Sequence, residues 1–435
     1  MGVVYQDMIR SNKIYAVDSW KEGFFSFLMV LFAWANTYKL PNVPIGLGEV
    51  LIFLFIPLCF KRKMLLPFER QEIGFVLYFF YMAIASLVLG VIFDAPMSKF
   101  FSVLRVGFYW VLVFYFGKNL FKKDVFEKCM VAFAVLLSSF IIIQWVVYLS
   151  TGFYIPGIIS SLPLNRAETA SELYERSLSL ASWRGFIRPN GFLQEPGTCS
   201  QMLFICMMSL VCNKIMRFRK KMMLMALISF ATIVTQSVTG VTLLVFAWLA
   251  LMTIEKRMLI LRIPLIISLF FLCLYVFFYG DMFGLSSIER IFNVVNNSDI
   301  DRSSSTRLYN GLDLFAQLPF EFKIFGTGMG LFEYASDYFV MGDALNYKNA
   351  LSGILFSTGF IGLVIWLAAQ ITLFVMSDLF GKILVIGFFI MSLGCSIFCQ
   401  PQMVWFLLLI YADIKKKKGI DNVKVTGTLS CGRFN

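Results

Sequence analysis

The 435-residue chain contains no histidine. That absence removes imidazole as a general acid or base, as a metal ligand and as the partner of a Ser or Cys nucleophile. Charge is scarce too: only 15% of residues are Asp, Glu, Lys or Arg, against about 25% in soluble domains, while 59% are hydrophobic. With 49 Phe and a mean hydropathy of +0.78, the composition excludes an ordinary soluble enzyme and indicates an integral membrane protein. Any chemistry must come from Arg, Lys, Asp, Glu, Tyr or backbone groups.

A helix needs about 20 apolar residues to cross the hydrocarbon layer, and the sequence offers twelve such runs. They fall near 23–40, 43–60, 72–93, 99–117, 129–150, 192–213, 222–238, 239–255, 259–280, 349–376, 382–399 and 401–414. The expected fold is a single all-α polytopic domain over 1–435 with about twelve transmembrane helices. Residues 1–22 are mostly polar and lead directly into the first run, which reads as an uncleaved anchor. With both termini placed inside, 26 of the 38 Lys and Arg fall in inner segments, including Lys61-Arg62-Lys63, Arg217 to Lys221 and Lys415 to Lys418. This is the positive-inside pattern, so the formal charge of +12 reflects topology rather than a nucleic-acid footprint.

Two connections are long, 151–191 after the fifth run and 281–348 after the ninth, and both fall on the outer side. None of the nine cysteines lies in either, so no disulfide staples them. Cys395 and Cys399 have the spacing of one helix face, as small packing residues. In the second loop, apolar residues at Leu308, Leu312, Leu314, Phe315 and Leu318 predict a helix that either lies on the membrane surface or packs on the rest of the loop. Asp299-Ile300-Asp301 has the spacing of a metal-holding pair, although two acids in a polar loop are more often solvated, and no metal or other cofactor is expected.

Charges near the outer boundary carry more weight, because burying one is costly unless it is paired. Glu49 in the second run, Arg105 in the fourth and Glu195 at the start of the sixth meet that description. Arg105 could pair with Glu49. Glu195 could cap a helix that Pro196 opens, since an acid there complements the helix dipole. Arg184 and Arg188 could bind headgroups or snorkel.

The second loop then supplies a sequence of features. Ser303-Ser304-Ser305-Thr306-Arg307 opens an apolar helix, Leu318-Pro319 follows, and Phe325-Gly326-Thr327-Gly328-Met329-Gly330 comes next. Asn349 stands before a run containing Gly359-Phe360-Ile361-Gly362. As a phosphate cradle the glycine cluster lacks the Walker lysine, and a tight turn accounts for it. This order resembles the second outer-loop region of the O-antigen polymerase and ligase superfamily. The stretch Arg188-Pro189-Asn190-Gly191-Phe192-Leu193-Gln194-Glu195-Pro196 resembles the first-loop motif of bacterial polysaccharide polymerases of the Wzy type.

The resemblance implies a GT-C-like membrane glycosyltransferase in the bacterial inner membrane, with 151–191 and 281–348 as periplasmic loops. Its substrates would be undecaprenyl-diphosphate-linked oligosaccharides, the nascent glycan passing from its lipid carrier onto the incoming lipid-linked repeat unit. Membrane lipids and a chain-length regulator would be its partners. Ligases of the superfamily use a histidine in the second long loop, which this chain lacks. A lipid-linked oligosaccharide flippase or another transporter would also suit twelve spans, against which stand the large outer loops and the lack of an internal repeat. A non-catalytic scaffold would leave the outer arginines unexplained.

Reaction chemistry points to the same residues. A diphosphate leaving group departs as an anion and needs charge neutralisation, which the planar arginine fork supplies. Arg184, Arg188 and Arg307 are the candidates, with Arg105 and Arg290 behind them. The acceptor hydroxyl must lose a proton, and without histidine a carboxylate in a partly dry site is the natural base. Glu195 is the best placed. The expected catalytic set is therefore Glu195, Arg188 and Arg307.

Overall fold

The computed structural model describes residues 20–41, 43, 45–59, 69–165, 169–184, 187–213, 215–255, 258, 310–341 and 349–414. The regular elements among them are helices, and β pairing among them is limited to isolated bridges of Tyr38 with Leu164 and Lys39 with Gly46. In chain order, α1 covers 20–35, α2 Leu47–Phe55, α3 Arg70–Ile92, α4 Phe101–Val111 and α5 Lys123–Thr151. Next come α6 (Ala170–Arg184), α7 (Pro196–Cys212), α8 (Phe218–Val234) and α9 (Val238–Ile254). The last are α10 (310–316), α11 (Phe320–Phe325), α12 (Phe332–Tyr338), α13 (Ala350–Met376), α14 (Leu379–Gly394) and α15 (Gln402–Ile414).

Eleven of the twelve apolar runs contain a helix, and the twelfth, 259–280, lies outside the described residues. Four helical stretches are long and apolar enough to cross a membrane: Glu72–Ile92, Met97–Leu120, Lys123–Thr151 and Ala350–Met376. The other apolar helices are shorter. The 17 residues of α7, for example, rise about 25 Å. The architecture is that of an α-helical membrane protein.

Several boundaries differ from the apolar runs, for local reasons. The 43–60 run tightens into a 3-10 turn at Ile56–Cys59, around Pro57. The 192–213 run becomes helical only at Pro196, because Asn190 to Leu193 forms a turn closed by Leu193 N–H on Asn190 O. The 382–399 run ends as a helix at Gly394, where Cys395 turns extended at φ −157° and ψ 166°. Cys399 closes a separate 3-10 turn, so the two cysteines do not share a helix face.

The chain packs as two compact units, Met1–Pro67 with Val113–Thr235, and Phe68–Leu112 with Gln236–Asn435. In the first, α5 packs on α7 and α8, and α7 on α8. From Cys199 to Cys212 every residue of α7 except Gln201 is buried, the pattern of a helix apolar on all sides. Outside these apolar helices, α6 starts in a capping box: Glu172 accepts the Thr169 N–H at 2.7 Å and its own N–H reaches Thr169 Oγ1 at 3.3 Å. Those bonds hold the Glu172 carboxyl below its usual range.

In the second unit, α3 and α13 form the most extensive helix pair. Small residues permit it: a Cβ at Gly74 would lie 2.8 Å from the Ala369 Cβ. Helix α13 breaks at Gly359, with φ 64° and ψ −168°. The break disturbs the helical bonding of nearby carbonyls, and an unsatisfied carbonyl in hydrocarbon costs several kcal/mol. The glycine loop engages two of them. Thr327 donates its N–H and its hydroxyl to Phe356 O, both at 3.0 Å, and Gly328 N–H reaches Ser357 O at 2.8 Å. Only glycine fits at 359, where a Cβ would sit 2.2 Å from Ile324 O. With Met329 N–H on Ser86 Oγ at 2.8 Å, these amides are committed inside the protein, and the loop is a docking turn rather than a phosphate cradle. Helix α10 packs likewise: Leu314, Phe315 and Leu318 bury against Leu355 and Phe356, while Leu312 remains 46% exposed.

Candidate functional site

The chain returns from the first long loop toward α7 through 187–195, in the first unit. Ile187 anchors the start, 2% exposed among Tyr154, Trp145, Tyr148, Tyr174 and Leu178. Tyr154 stacks on Tyr174 with ring centroids 5.8 Å apart. Burial pushes the Tyr154 hydroxyl well up, so it keeps its proton and donates to Asn190 Oδ1. The Asn190 carbonyl accepts from the Cys199 thiol.

Gly191 forms the next fixed point. Its φ of +59° suits glycine, and a Cβ there would lie 2.4 Å from Leu137 Cδ1. The fully buried Gln144 of α5 grips its backbone from both sides, Oε1 accepting Gly191 N–H at 2.8 Å and Nε2 donating to Gly191 O at 3.2 Å. Phe192 then packs edge-on to Trp34 and Phe133 and tilted to Phe140. Gln194 ties the segment down by donating to Thr37 O at 2.5 Å.

Arg188 and Glu195 bracket this segment, both half-buried. Arg188 Nε makes a long contact, 3.4 Å, to the carbonyl of Thr235, the C-cap of α8, where the helix dipole favours a cation. Glu195 is the N-cap residue of α7 with extended backbone, φ −139° and ψ 146°, and Pro196 follows in the first turn. Its carboxylate makes no capping hydrogen bond, although the residue stands at the N-terminal end of α7, where the helix dipole favours an acid.

The remaining candidates belong to other parts of the chain. Arg184 ends α6, and its backbone alone is described. Arg105 lies half-buried on α4 in the second unit, whereas Glu49 belongs to the first. Glu49 is 4% exposed and accepts the Gly46 N–H at 2.9 Å, bonding across the start of its own helix. Arg290, Arg307, Asp299 and Asp301 lie outside the described residues. Among the described residues no group of three Cys, Asp or Glu is arranged to hold a metal ion.

A comparison with protein-family models and with curated proteins finds no match. The segment therefore stands on its geometry. Its arrangement offers one guanidinium and one carboxylate at half-buried positions, on a backbone held by buried amide, hydroxyl and aromatic groups. Those holding residues, Gln144, Tyr154 and Asn190, escape a search for catalytic side chains. The available signal is Gln144, an amide inside the run Ile141-Ile142-Ile143-Gln144-Trp145, since polar groups within membrane segments are rare and commonly functional.

Proposed function

We propose that this chain polymerises surface polysaccharide. It joins undecaprenyl-diphosphate-linked repeat units at the periplasmic face of a bacterial inner membrane, as a GT-C-like glycosyltransferase of about twelve spans with both termini inside. The observation that carries this reading is the return segment, which holds half-buried Arg188 and Glu195 on a buried scaffold where the chain enters α7. The acceptor sugar hydroxyl attacks the anomeric carbon of the nascent chain, whose bond to the diphosphate breaks. Glu195 takes the hydroxyl proton, while Arg188, Arg184 and Arg307, with Arg105 and Arg290 as secondary candidates, neutralise the departing diphosphate. Charge neutralisation by arginine leaves no step that requires a metal or another cofactor. A chain-length regulator is the expected protein partner, alongside membrane lipids.

Deleting the gene tests this reading cheaply. A polymerase mutant should carry lipopolysaccharide capped with a single repeat unit, visible on a gel as one band above the core. A mutant with no repeat unit at all would indicate a flippase or a ligase, and an unchanged ladder would exclude the proposal.

A further inference from the structure

Resting on the polymerase reading, we infer that Gln144 is a positioning residue, fixing the Gly191 peptide so that Arg188 and Glu195 hold the reactive geometry. Gln144 lies on α5, far from both in sequence, yet its carboxamide makes three hydrogen bonds at this one place. Besides the two to Gly191, Nε2 donates to Ile155 O at 2.8 Å. The amide thus ties the loop that leaves α5 to the segment that returns into α7.

The clasp is closed from other directions as well. A Cβ at Gly157 would come within 1.8 Å of Gly191 O, so the two glycine backbones touch. Leu137 stands against Gly191 itself, as described above. In the chain the peptide so held lies between Arg188 and Glu195, flanked by Asn190 on one side and by Phe192, packed among Trp34, Phe133 and Phe140, on the other. Phe192, Gln194 and Pro196 would anchor the C-terminal half without Gln144. The amide adds a fixed orientation of the peptide plane, and a displacement of about 1 Å at a reacting group can cost roughly 10²-fold in rate. An isolated amide inside an apolar span is otherwise a disadvantage, since leucine suits hydrocarbon better.

The test uses the full-length chain in lipid nanodiscs, with single-repeat lipid-linked oligosaccharide extracted from the deletion strain as the probe. Gln144→Met keeps the shape and removes the bonding. Per folded molecule it should lower kcat by roughly 10²-fold while leaving KM within about threefold. Gln144→Glu, protonated when buried, restores the acceptor and one donor and should recover most of kcat. An unchanged kcat in Gln144→Met overturns the inference while leaving the polymerase reading intact, provided the wild type extends the probe. Equal kcat loss in both variants together with a lowered melting midpoint marks a packing role and also overturns it. A wild-type chain that leaves the probe unextended overturns the polymerase reading, and this inference falls with it.

Discussion

Replacing Glu195 with Gln should reduce polymer to the single-repeat pattern while the protein accumulates at its normal level. The substitution is nearly isosteric. The N-cap conformation of Glu195 is a backbone property set by φ −139° and ψ 146°, with Pro196 opening α7, and the side chain makes no capping bond that would be lost. Gln keeps the length and the polar end of the side chain, and folding should be little affected. What disappears is proton acceptance: an amide cannot take the proton of the attacking hydroxyl. A positioned general base contributes roughly 10²–10⁴-fold, so the rate of chain growth should fall by that order. Slow growth of this kind leaves chains of one or two units on a gel. Full-length polymer from Glu195→Gln at normal protein level would remove Glu195 from the base role.

Arg188→Ala should have an effect of similar size by a different route. A diphosphate carries its charge on oxygens spaced for the arginine fork, and removing one such stabiliser of developing charge costs roughly 10²–10³-fold. Arg188→Lys keeps the charge without the planar fork and should retain an intermediate rate. Arg188→Ala also removes the 3.4 Å contact with Thr235 O at the end of α8, a long and weak one. Initial rates of lipid-linked product formation, normalised to folded protein, provide the check. A rate for Arg188→Ala equal to that of wild type would take the diphosphate away from this residue.

The helical elements were legible where the apolar run and the helix have the same ends. The run at 72–93 became Glu72–Ile92, and 349–376 became Ala350–Met376. Both have clear polar boundaries, and Asn349 caps the second by accepting the Ser352 N–H at 2.8 Å. The 222–238 run was misplaced by a few residues, because Phe218 to Lys221 reads as inner loop yet forms the first turn of α8, where Lys221 is only 1% exposed. The break at Gly359 was not legible. It depends on hydrogen bonds from Thr327 and Gly328, residues that a local pattern cannot link to Phe356 and Ser357.

The return segment was readable in part for the same reason. Pro196 and the glycine at 191 announce a turn followed by a helix, and the charges at Arg188 and Glu195 stand out against apolar neighbours. Gln144 and Tyr154 do not announce their role, since their partners come from the far end of the loop. The Glu49 carboxylate, read from sequence only as a buried charge, bonds the start of its own helix, a local capping role that its spacing of three from Gly46 permits.

The most direct measurement is elongation by the purified chain itself. Full-length protein in nanodiscs would receive single-repeat lipid-linked oligosaccharide and no nucleotide, added metal or membrane potential, and products would be separated by mass. A polymerase yields lipid-linked glycans of two, three and more repeat units with release of the free lipid diphosphate. A substrate that remains a single repeat unit, with no lipid diphosphate released, would contradict the proposed function.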